Sequence, residues 1–260
     1  MDINWRNLFF VALGWFILTS HLTTLGVTLF LHRSQTHKAV VFHGAVSHFF
    51  RFWLWLTTGM VTKEWIGVHR WHHAHPDEGD DPHSPVIFGL NSVVFGGWRL
   101  YRRAIKDREA IDHFSRGYGP QDWLEKNFYE KFSLFGILFL LLAQASIGWF
   151  LAGQAGVWAA SFLWLFQMIW IPFWAAGVIN GYGHSQGLSS WWGYTSYNQN
   201  NSSVNRGGIV NIILCGEPLH ENHHQRPSSA KFSHARGEFD LGWAYIVALE
   251  RLGLVREIRR

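Results

Sequence analysis

Cysteine is almost absent from this sequence, and charge is absent from long stretches of it. Cys215 is the single cysteine in 260 residues, which excludes a disulfide framework, a cysteine-ligated zinc site and an iron–sulfur cluster. Residues 132–180 contain no Asp, Glu, Lys or Arg, and residues 7–62 contain no acid and only three Lys or Arg. A hydrocarbon core of about 30 Å needs about 20 apolar residues of helix. Both runs are long enough, so the sequence predicts an all-α integral membrane protein.

Three apolar segments are long enough to cross a membrane as helices. They are 8–31, 132–153 and 157–179, with an uncharged turn at 153–156 between the last two. Polar regions occupy 63–131 and 180–260. The sequence contains no repeat or linker that would suggest a second domain, so residues 1–260 are predicted to form one membrane domain.

Histidine, by contrast, is abundant, with 16 in the chain, and the pattern H-x-x-H-H occurs twice. The two copies consist of His69, His72 and His73, and of His220, His223 and His224. Residues i, i+3 and i+4 lie on one face of a helix, so each copy directs three imidazoles the same way. Clusters of this kind indicate metal binding.

A third cluster holds His32 and His37, five residues apart at the end of the first apolar segment. On an unbroken α-helix their directions differ by roughly 140°, so they converge only if the helix ends or bends between them. Asn180 and His184 are four residues apart and share a face at the end of the last apolar segment. Nine imidazoles exceed the roughly four to six ligands of one ion and suit two, but imidazole alone does not name the metal.

The segment 39–62 is apolar and aromatic but also carries His43, His48 and Arg51. If it crossed the membrane, the histidine clusters before and after it would lie on opposite faces. A site shared by those clusters excludes a crossing, so we interpret 39–62 as an interfacial or re-entrant helix at the level of the headgroups.

The distribution of basic residues predicts the orientation. With three crossings, all of the 22 Lys and Arg except Arg6 lie on one side of the membrane. The positive-inside rule makes that side cytoplasmic, so the histidine clusters are predicted to face the cytoplasm from the inner, cytoplasmic membrane. The net charge of +4 does not indicate a nucleic-acid partner, because the bases are spread among hydrophobic segments.

Several side chains near the clusters are candidates to orient the imidazoles. A neutral histidine ligand donates its other ring N–H to an acceptor, and the acids close to the clusters in sequence are Glu64, Asp80, Asp81 and Glu217. His83 is a further candidate for this outer position. Each of them is equally compatible with an ordinary surface or packing role.

In chain order the groups read H-x-x-x-x-H, H-x-x-H-H, N-x-x-x-H and H-x-x-H-H, with hydrophobic hairpins between them. This order resembles the membrane-bound fatty acid desaturases of the acyl-CoA type. The resemblance runs from about Leu8 to Leu254 and includes the residues around the clusters. These are Glu64-Trp65, Asp81-Pro82-His83, Gly216-Glu217 and Asp240-Leu241-Gly242-Trp243.

The resemblance implies an oxidoreductase with two non-haem irons and O₂ as co-substrate. The implied ligands are His32, His37, His69, His72, His73, His184, His220, His223 and His224, with Asn180 reaching one iron through a water. The enzyme would introduce a cis double bond, delta-9-like in position, into a long saturated acyl chain. The implied architecture has three or four transmembrane helices, an interfacial helix and a cytoplasmic histidine-rich cap.

The resemblance also implies two partners besides membrane lipid. One is the acyl substrate, carried as acyl-CoA, acyl-carrier protein or a lipid, in a bent apolar tunnel entered from the cytoplasmic side. Trp65 and Trp71 are candidates for the tunnel wall, although core packing is the more common role of such residues. The other partner is a separate electron donor such as a ferredoxin-, rubredoxin- or cytochrome-type protein. The basic run 99–108 fits an acidic donor, a CoA phosphate or a lipid headgroup, and equally a solvated loop.

Other functions remain open at this point. A hydroxylase or acetylenase would use the same ligands and differ in the product. An intramembrane zinc protease would use His220 and His224 with Glu221 as base, which leaves the other clusters unexplained. A metal carrier predicts polar residues within the crossings, whereas the second and third crossings are uncharged.

Overall fold

The computed structural model of the protein describes residues 5–184, 194–195 and 202–260, and this part is mostly helical. The residues 185–193 and 196–201, which belong to the region predicted as cytoplasmic, lie outside the described residues. The α-helices are α1 (Trp5–Leu25), α2 (Gly44–Thr58), α3 (Thr62–Ala74), α4 (Pro85–Phe88), α5 (Leu90–Ala104), α6 (Arg108–Phe114), α7 (Ser133–Ile171), α8 (Ile179–Gly183), α9 (Gly208–Ile213), α10 (His220–Gln225) and α11 (Leu241–Arg251). Within the described residues, three segments are π-helical, namely Gly26–Thr36, Glu125–Tyr129 and Pro172–Val178. The strands are β1 (Val40–Phe42), β2 (Tyr194–Thr195), β3 (Val204–Asn205) and β4 (Val255–Ile258).

The first long apolar element is a continuous helix of 32 residues, Trp5–Thr36, made of α1 and the π-helical segment after it. Its most apolar window has a mean hydropathy of 1.7. About 20 helical residues span the hydrocarbon core, so this helix is long and apolar enough to cross a membrane. The predicted crossing 8–31 lies within it, and the helix continues past that crossing through His32.

The second long apolar element, Ser133–Gly183, has 51 residues, and its most apolar window has a mean hydropathy of 2.1. It is a helical hairpin rather than one rod, because the backbone leaves helical geometry at Ala152 and Gly153. Gly153 has a φ of +58°, a conformation that glycine adopts without steric cost. The turn therefore lies at the start of the predicted turn 153–156, and the chain runs antiparallel on either side of it.

Small and polar residues join the two arms of this hairpin. The backbones at Gly148 and Gly156 approach so closely that a Cβ on either one would overlap the other, as in other close helix pairs within membranes. Further along, Nε2 of Gln144 donates to Oε1 of Gln167 at 2.9 Å. The second amide then donates to Oγ1 of Thr19 at 2.6 Å, which connects the hairpin to α1.

Apolar side chains on both elements face outward. Only 17% and 22% of the residues in their most apolar windows are buried, and rings such as those of Phe150 and Phe162 are largely exposed. A core helix of a soluble protein would bury this surface, whereas exposed apolar surface of this extent indicates contact with lipid. The two elements therefore indicate a membrane-associated protein, and the number of crossings stays a prediction.

The segment 39–62, predicted as one helix, contains a strand and a shorter helix. β1 pairs antiparallel with β4, with Val40 opposite Ile258, and α2 then runs for 15 residues. A helix of that length spans about 22 Å, less than the roughly 30 Å hydrocarbon core. Apolar side chains of the strand enter the main core, which explains why composition alone did not separate the strand from the helix.

Tryptophan side chains fix α2 between the two long apolar elements. Nε1 of Trp53 donates to Oγ1 of Thr23 in α1 at 3.1 Å. Nε1 of Trp55 donates to the carbonyl of Phe132, just before α7, at 2.8 Å. These two hydrogen bonds link α2 to α1 and to the start of α7. The chain then passes from α2 through a short connection into α3.

The polar region 63–131 packs against the ends of the apolar elements. α5 crosses the segment Pro172–Val178 at Gly97 and Gly177, where a Cβ on either glycine would meet the opposite backbone. α3 packs on α6 at Gly67, where a Cβ would lie 2.9 Å from Cδ1 of Ile111. These close contacts place α3, which carries the first H-x-x-H-H pattern, beside the ends of the long helices.

Candidate metal centre

The structure brings the nine predicted histidines together in two adjacent groups. In each group the nearest ring nitrogens lie within 4.8 Å of one another. The five-histidine group consists of His32, His37, His69, His73 and His223, and the four-histidine group consists of His72, His184, His220 and His224. The rings of His73 and His224 stack with centroids 4.3 Å apart, so the two groups are direct neighbours.

Each H-x-x-H-H helix contributes to both groups, in opposite ways. α3 gives its i and i+4 histidines, His69 and His73, to the five-histidine group, and its i+3 histidine, His72, to the other. α10 gives its i+3 histidine, His223, to the five-histidine group and its i and i+4 histidines to the four-histidine group. The spacing places i and i+4 to one side of i+3 on the helix face, so two facing helices with this pattern supply two sites.

A π-helical turn makes His32 and His37 converge. The amide of His37 donates to the carbonyl of His32 at 3.1 Å, which is the i to i+5 bond of a π-helix. The wider turn brings residues five apart onto one face, and the ring centroids lie 5.1 Å apart. The prediction required the helix to end or bend between these two residues; it ends at Thr36, after its last turns widen into a π-helix, and His37 is the residue that follows it.

Short backbone contacts hold the second H-x-x-H-H helix against the end of the hairpin. The amide of Ser203 donates to the carbonyl of Gly183 at 2.8 Å, and the amide of Glu221 donates to the carbonyl of Ser203 at 3.0 Å. Gly183 also lies against the ring of His220, where a Cβ would be 2.8 Å from Cδ2. His184 and His220 are thereby fixed with their Nε2 atoms 2.7 Å apart.

Buried carboxylates orient three of the imidazoles from behind. Nδ1 of His72 lies 2.7 Å from Oδ2 of Asp81, and Nδ1 of His32 lies 2.8 Å from Oε2 of Glu217. A carboxylate accepts, so each of these Nδ1 atoms carries the proton and the Nε2 of the same ring presents a lone pair. Thr28 also donates a short hydrogen bond to Glu217, which fixes the carboxylate.

The third carboxylate is Asp77, whose Oδ2 lies 2.9 Å from Nδ1 of His184. Asp77 and Asp81 thus serve the two rings, His184 and His72, whose Nε2 atoms face each other at 3.0 Å. Both Nε2 atoms are lone-pair acceptors, so they cannot hydrogen-bond to each other. A metal cation bound between the two Nε2 atoms would accept both lone pairs as ligands and so remove their repulsion.

The spacing within both groups also fits a metal. Neighbouring Nε2 atoms are 2.9 Å apart for His32 and His223 and 3.1 Å apart for His220 and His224. Two adjacent ligands on metal–nitrogen bonds of about 2.1 Å are separated by about 3 Å. The donor set and its geometry therefore fit two metal ions.

Burial favours the neutral form of seven of these imidazoles. It lowers the pKa of His69, His72 and His220 well below 6.5, and the neighbouring imidazoles lower it further. Burial likewise lowers the pKa of His37, His73, His223 and His224. Burial raises the pKa of Asp81 to about 6, so the carboxylate still accepts from His72 at pH 7. Neutral imidazoles are the form that binds metal ions.

A cavity of about 550 Å³ opens onto both histidine groups. His32, His69 and His220 line its inner end together with Asn180. Apolar side chains line its body, namely Trp65, Val68, Ile105, Met168, Ile171, Ala175, Ala176 and Ile179. Exposed basic residues line its rim, namely Arg102, Lys106 and Arg108. The volume is within the range of about 300–1,000 Å³ typical of small-molecule sites.

Comparison with known proteins decides the family. The fatty acid desaturase profile matches residues 7–236. The chain belongs to the fatty acid desaturase family. The sequence-based resemblance is thereby confirmed, and the family indicates an oxidoreductase.

Curated members of the desaturase family align over nearly the whole chain. The sn-1 stearoyl-lipid 9-desaturase of Anabaena variabilis is 27% identical over 262 residues, which cover 97% of this chain and 86% of the relative. The palmitoyl-monogalactosyldiacylglycerol delta-7 desaturase of Arabidopsis thaliana is 25% identical over 261 residues, 99% of this chain and 63% of the relative. An acyl-CoA 5-desaturase of Anemone leveillei is 26% identical over 255 residues, 94% of this chain and 71% of the relative.

Not every residue predicted to serve the desaturase site lies where it was expected. Asp81 and Glu217 contact cluster histidines, and His83 stacks on His72 with centroids 4.6 Å apart. Glu64 lines the cavity, but its carboxylate pairs with Arg108 at 2.6 Å. Its position near the first H-x-x-H-H pattern suggested contact with a cluster histidine, but the Glu64 carboxylate instead faces Arg108 at the rim of the cavity.

The two candidate tunnel tryptophans have different surroundings. Trp65 lines the cavity and stacks on His69 with centroids 4.8 Å apart. Trp71 stacks on Phe114 with centroids 5.9 Å apart, within the apolar contact between α3 and α6. It lies on the opposite face of α3 from His69, so its assignment to the tunnel wall is wrong.

Asp77 was not singled out from the sequence. It belongs to the acidic stretch 77–81, in which Asp80 and Asp81 were the candidates. Asp80 is exposed, whereas Asp77 reaches His184 because it adopts a positive φ of +62° that turns its side chain inward. The sequence showed an acidic stretch directly after a histidine cluster, but it did not indicate which acid of the stretch contacts a histidine.

Proposed function

We propose that this chain is an O₂-dependent fatty acyl desaturase whose two histidine groups hold two non-haem iron ions. The observation that carries the proposal is the position of these groups at the inner end of an apolar cavity. A metal pair beside an acyl-sized apolar cavity is suited to oxidising a hydrocarbon chain. The names of the curated relatives, which are acyl-lipid and acyl-CoA desaturases, support this choice.

The metal ligands proposed are the nine histidines, with Asn180 reaching one of the two ions through a water. Iron bound there supplies the oxidation of a methylene pair by O₂. The balanced reaction is –CH₂–CH₂– + O₂ + 2 e⁻ + 2 H⁺ → –CH=CH– + 2 H₂O. Two C–H bonds break, and the two electrons that the acyl chain does not provide come from a separate donor.

The protein's own contribution is to orient the ligands and to position the chain. Asp77, Asp81 and Glu217 fix the tautomers of the histidines that they contact, so each Nε2 lone pair points inward. Trp65, stacked on His69, forms part of the wall that holds the chain beside the site. The apolar walls exclude water from the reacting methylenes.

The proposed substrate is a long saturated acyl chain, and the proposed product is its cis, delta-9-like alkene. Arg102, Lys106 and Arg108 at the rim suit an anionic carrier, either a CoA phosphate or a lipid headgroup. Acyl-carrier protein is a third carrier with the same charge. Among the relatives described above, one is named for stearoyl-lipid and one for acyl-CoA.

The proposed topology has three crossings within one domain, with the histidine groups on the cytoplasmic side of the inner membrane. The convergence of His32 with His69 supports a non-crossing α2, because the two flank that helix in sequence and contact each other with ring centroids 4.5 Å apart. α2 then lies at the headgroup level.

The test is expression in cells that lack their own desaturase, followed by fatty-acid profiling by mass spectrometry. The proposal predicts acyl chains lighter by two hydrogens, and loss of this product in the variant His69→Ala. The hydroxylase alternative predicts chains that have gained an oxygen instead. Wild-type protein that makes neither product, with iron and an electron donor supplied, contradicts the proposal.

A further inference from the structure

We propose that a small acidic electron-carrier protein docks on one basic surface beside the five-histidine group. This surface, the basic face, consists of Lys38, Arg226, Lys231, Arg256 and Arg259. The inference rests on the proposed function, because the balanced desaturation needs two electrons from outside the acyl chain. It adds where on this chain they enter.

Backbone hydrogen bonds place three distant segments of the chain side by side on this face. The amide of Arg259 donates to the carbonyl of Ala39 at 2.8 Å, and the amide of Ala230 donates to the carbonyl of Arg259 at 2.8 Å. The segments 36–42, 226–231 and 255–260 therefore form one continuous surface, although more than 180 residues separate the first from the second.

The charge of this surface is strongly one-sided. The three segments contain six Lys or Arg and one acid, Glu257. One of the six, Arg260, is paired with Glu250 at 2.7 Å, and the other five form the basic face. An acidic partner is attracted by such a surface, and exposed charge of one sign mainly accelerates encounter and fixes orientation.

The basic face directly adjoins the five-histidine group. Lys38 follows His37 in sequence, and the amide of Arg226 donates to the carbonyl of His223 at 3.1 Å. His37 and His73 are the half-buried members of this group, whereas His32, His69 and His223 are buried. One half-buried ring of the group, that of His37, therefore lies beside the basic face, which gives a docked carrier a short approach to the proposed metal site.

The second basic run of the chain, 99–108, has a different neighbour. Its members Arg102, Lys106 and Arg108 line the rim of the acyl cavity. A carrier bound there would compete with the anionic end of the substrate, whereas the basic face leaves the cavity mouth free. The structure thus separates the surface for electrons from the surface for the acyl carrier.

The test compares two double variants with the same change in charge. Arg226→Glu with Arg259→Glu reverses the basic face at two exposed positions. Arg99→Glu with Arg103→Glu is the matched control on α5, at exposed positions outside the cavity lining. The probes are three acidic carriers, a [2Fe–2S] ferredoxin, a rubredoxin and a cytochrome b5, each titrated onto the protein in lipid nanodiscs at low and high salt.

The proposal predicts that at least one carrier binds the wild type and that binding weakens at high salt. Binding should weaken at least about tenfold in the basic-face variant and less than about twofold in the α5 control. The KM for that carrier should rise in parallel, while turnover driven by dithionite stays unchanged. If no carrier binds the wild type, or if the basic-face variant binds as well as the control, the docking proposal is overturned.

The dithionite assay separates this outcome from failure of the proposed function. If the wild-type protein desaturates with dithionite but carrier binding does not depend on the basic face, the proposed function stands and only the docking proposal fails. Wild-type protein that forms no product with any carrier or with dithionite loses both.

Discussion

Arg33 and Asp240 form an ion pair without exposed side-chain surface, with Nη2 of Arg33 2.9 Å from Oδ1 of Asp240. Arg33 follows His32 in the first long helix, and its Nη1 also donates to the carbonyl of Ala230 at 3.0 Å. Its guanidinium lies 3.8 Å from the ring centroid of Phe232. That ring packs on His223 with centroids 4.8 Å apart. The ion pair therefore holds the segment that follows the last histidine cluster against the helix that carries the first histidine cluster.

Replacing Asp240 should destabilise the protein and loosen the metal centre. Asp240→Ala leaves the Arg33 guanidinium buried and unpaired, at a cost of about 3–5 kcal/mol. Unfolding in detergent and iron content measure the two effects. The matched control is Glu250→Ala, which removes an exposed partner of Arg260 and should cost about 0–1 kcal/mol. Equal losses in the two variants would show that the buried pair has no special role.

Replacing Asp77 should weaken the four-histidine site without unfolding the protein. Asp77→Ala removes the acceptor that fixes the tautomer of His184, and the loss of such a partner costs about 10–100-fold in metal affinity. Competition with a chelator measures the affinity. Asp80→Ala, an exposed change three residues along the same loop, should leave it unchanged. A variant at Asp77 that retains metal as firmly as the control would refute the assigned role.

Filling the cavity should shift the products to shorter acyl chains. Ala175 lines the cavity, so Ala175→Leu adds three carbons of wall to the space that the acyl chain needs. Product profiling should show a smaller share of the longest chains and equal protein yield. Ala159→Leu makes the same change at an exposed position on the hairpin and should leave the profile as in the wild type. An unchanged profile in both would place the acyl chain elsewhere.

Glu125 should make stability depend on pH. Burial raises the pKa of Glu125 from 4.5 to about 7, and its Oε2 lies 3.5 Å from Nε of Arg51. Between about pH 4.5 and 7 the folded state binds more protons than the unfolded state, so stability falls as pH rises through this window. The melting temperature in detergent should fall from pH 5 to pH 7, and Glu125→Gln should flatten that slope. Glu109→Gln, at an exposed position, should not flatten it.

The ligand positions could be predicted from the sequence because the patterns are local. Spacings of three and four residues fix a shared helix face for His69, His72 and His73 whatever else the chain does. The structure brings these positions together with the other six histidines. The division into groups of five and four could not be predicted, since it depends on how α3 and α10 face each other.

Other features were hidden because they depend on backbone geometry that composition does not report. The first helix ends between His32 and His37 as expected, but the π-helical widening of its last turns, which brings the two rings together, was not predicted. The positive φ of Asp77 turns one acid of a stretch inward. The strand β1 is hidden in an apolar run because its partner β4 lies more than 200 residues away.

The central claim is that the two histidine groups hold two iron ions, and metal content tests it most directly. Protein purified after expression with iron should contain about two irons per chain. His69→Ala in the five-histidine group and His220→Ala in the four-histidine group should each reduce this to about one. Wild-type protein that binds only one metal ion per chain, or that selects zinc over iron under these conditions, would contradict the claim.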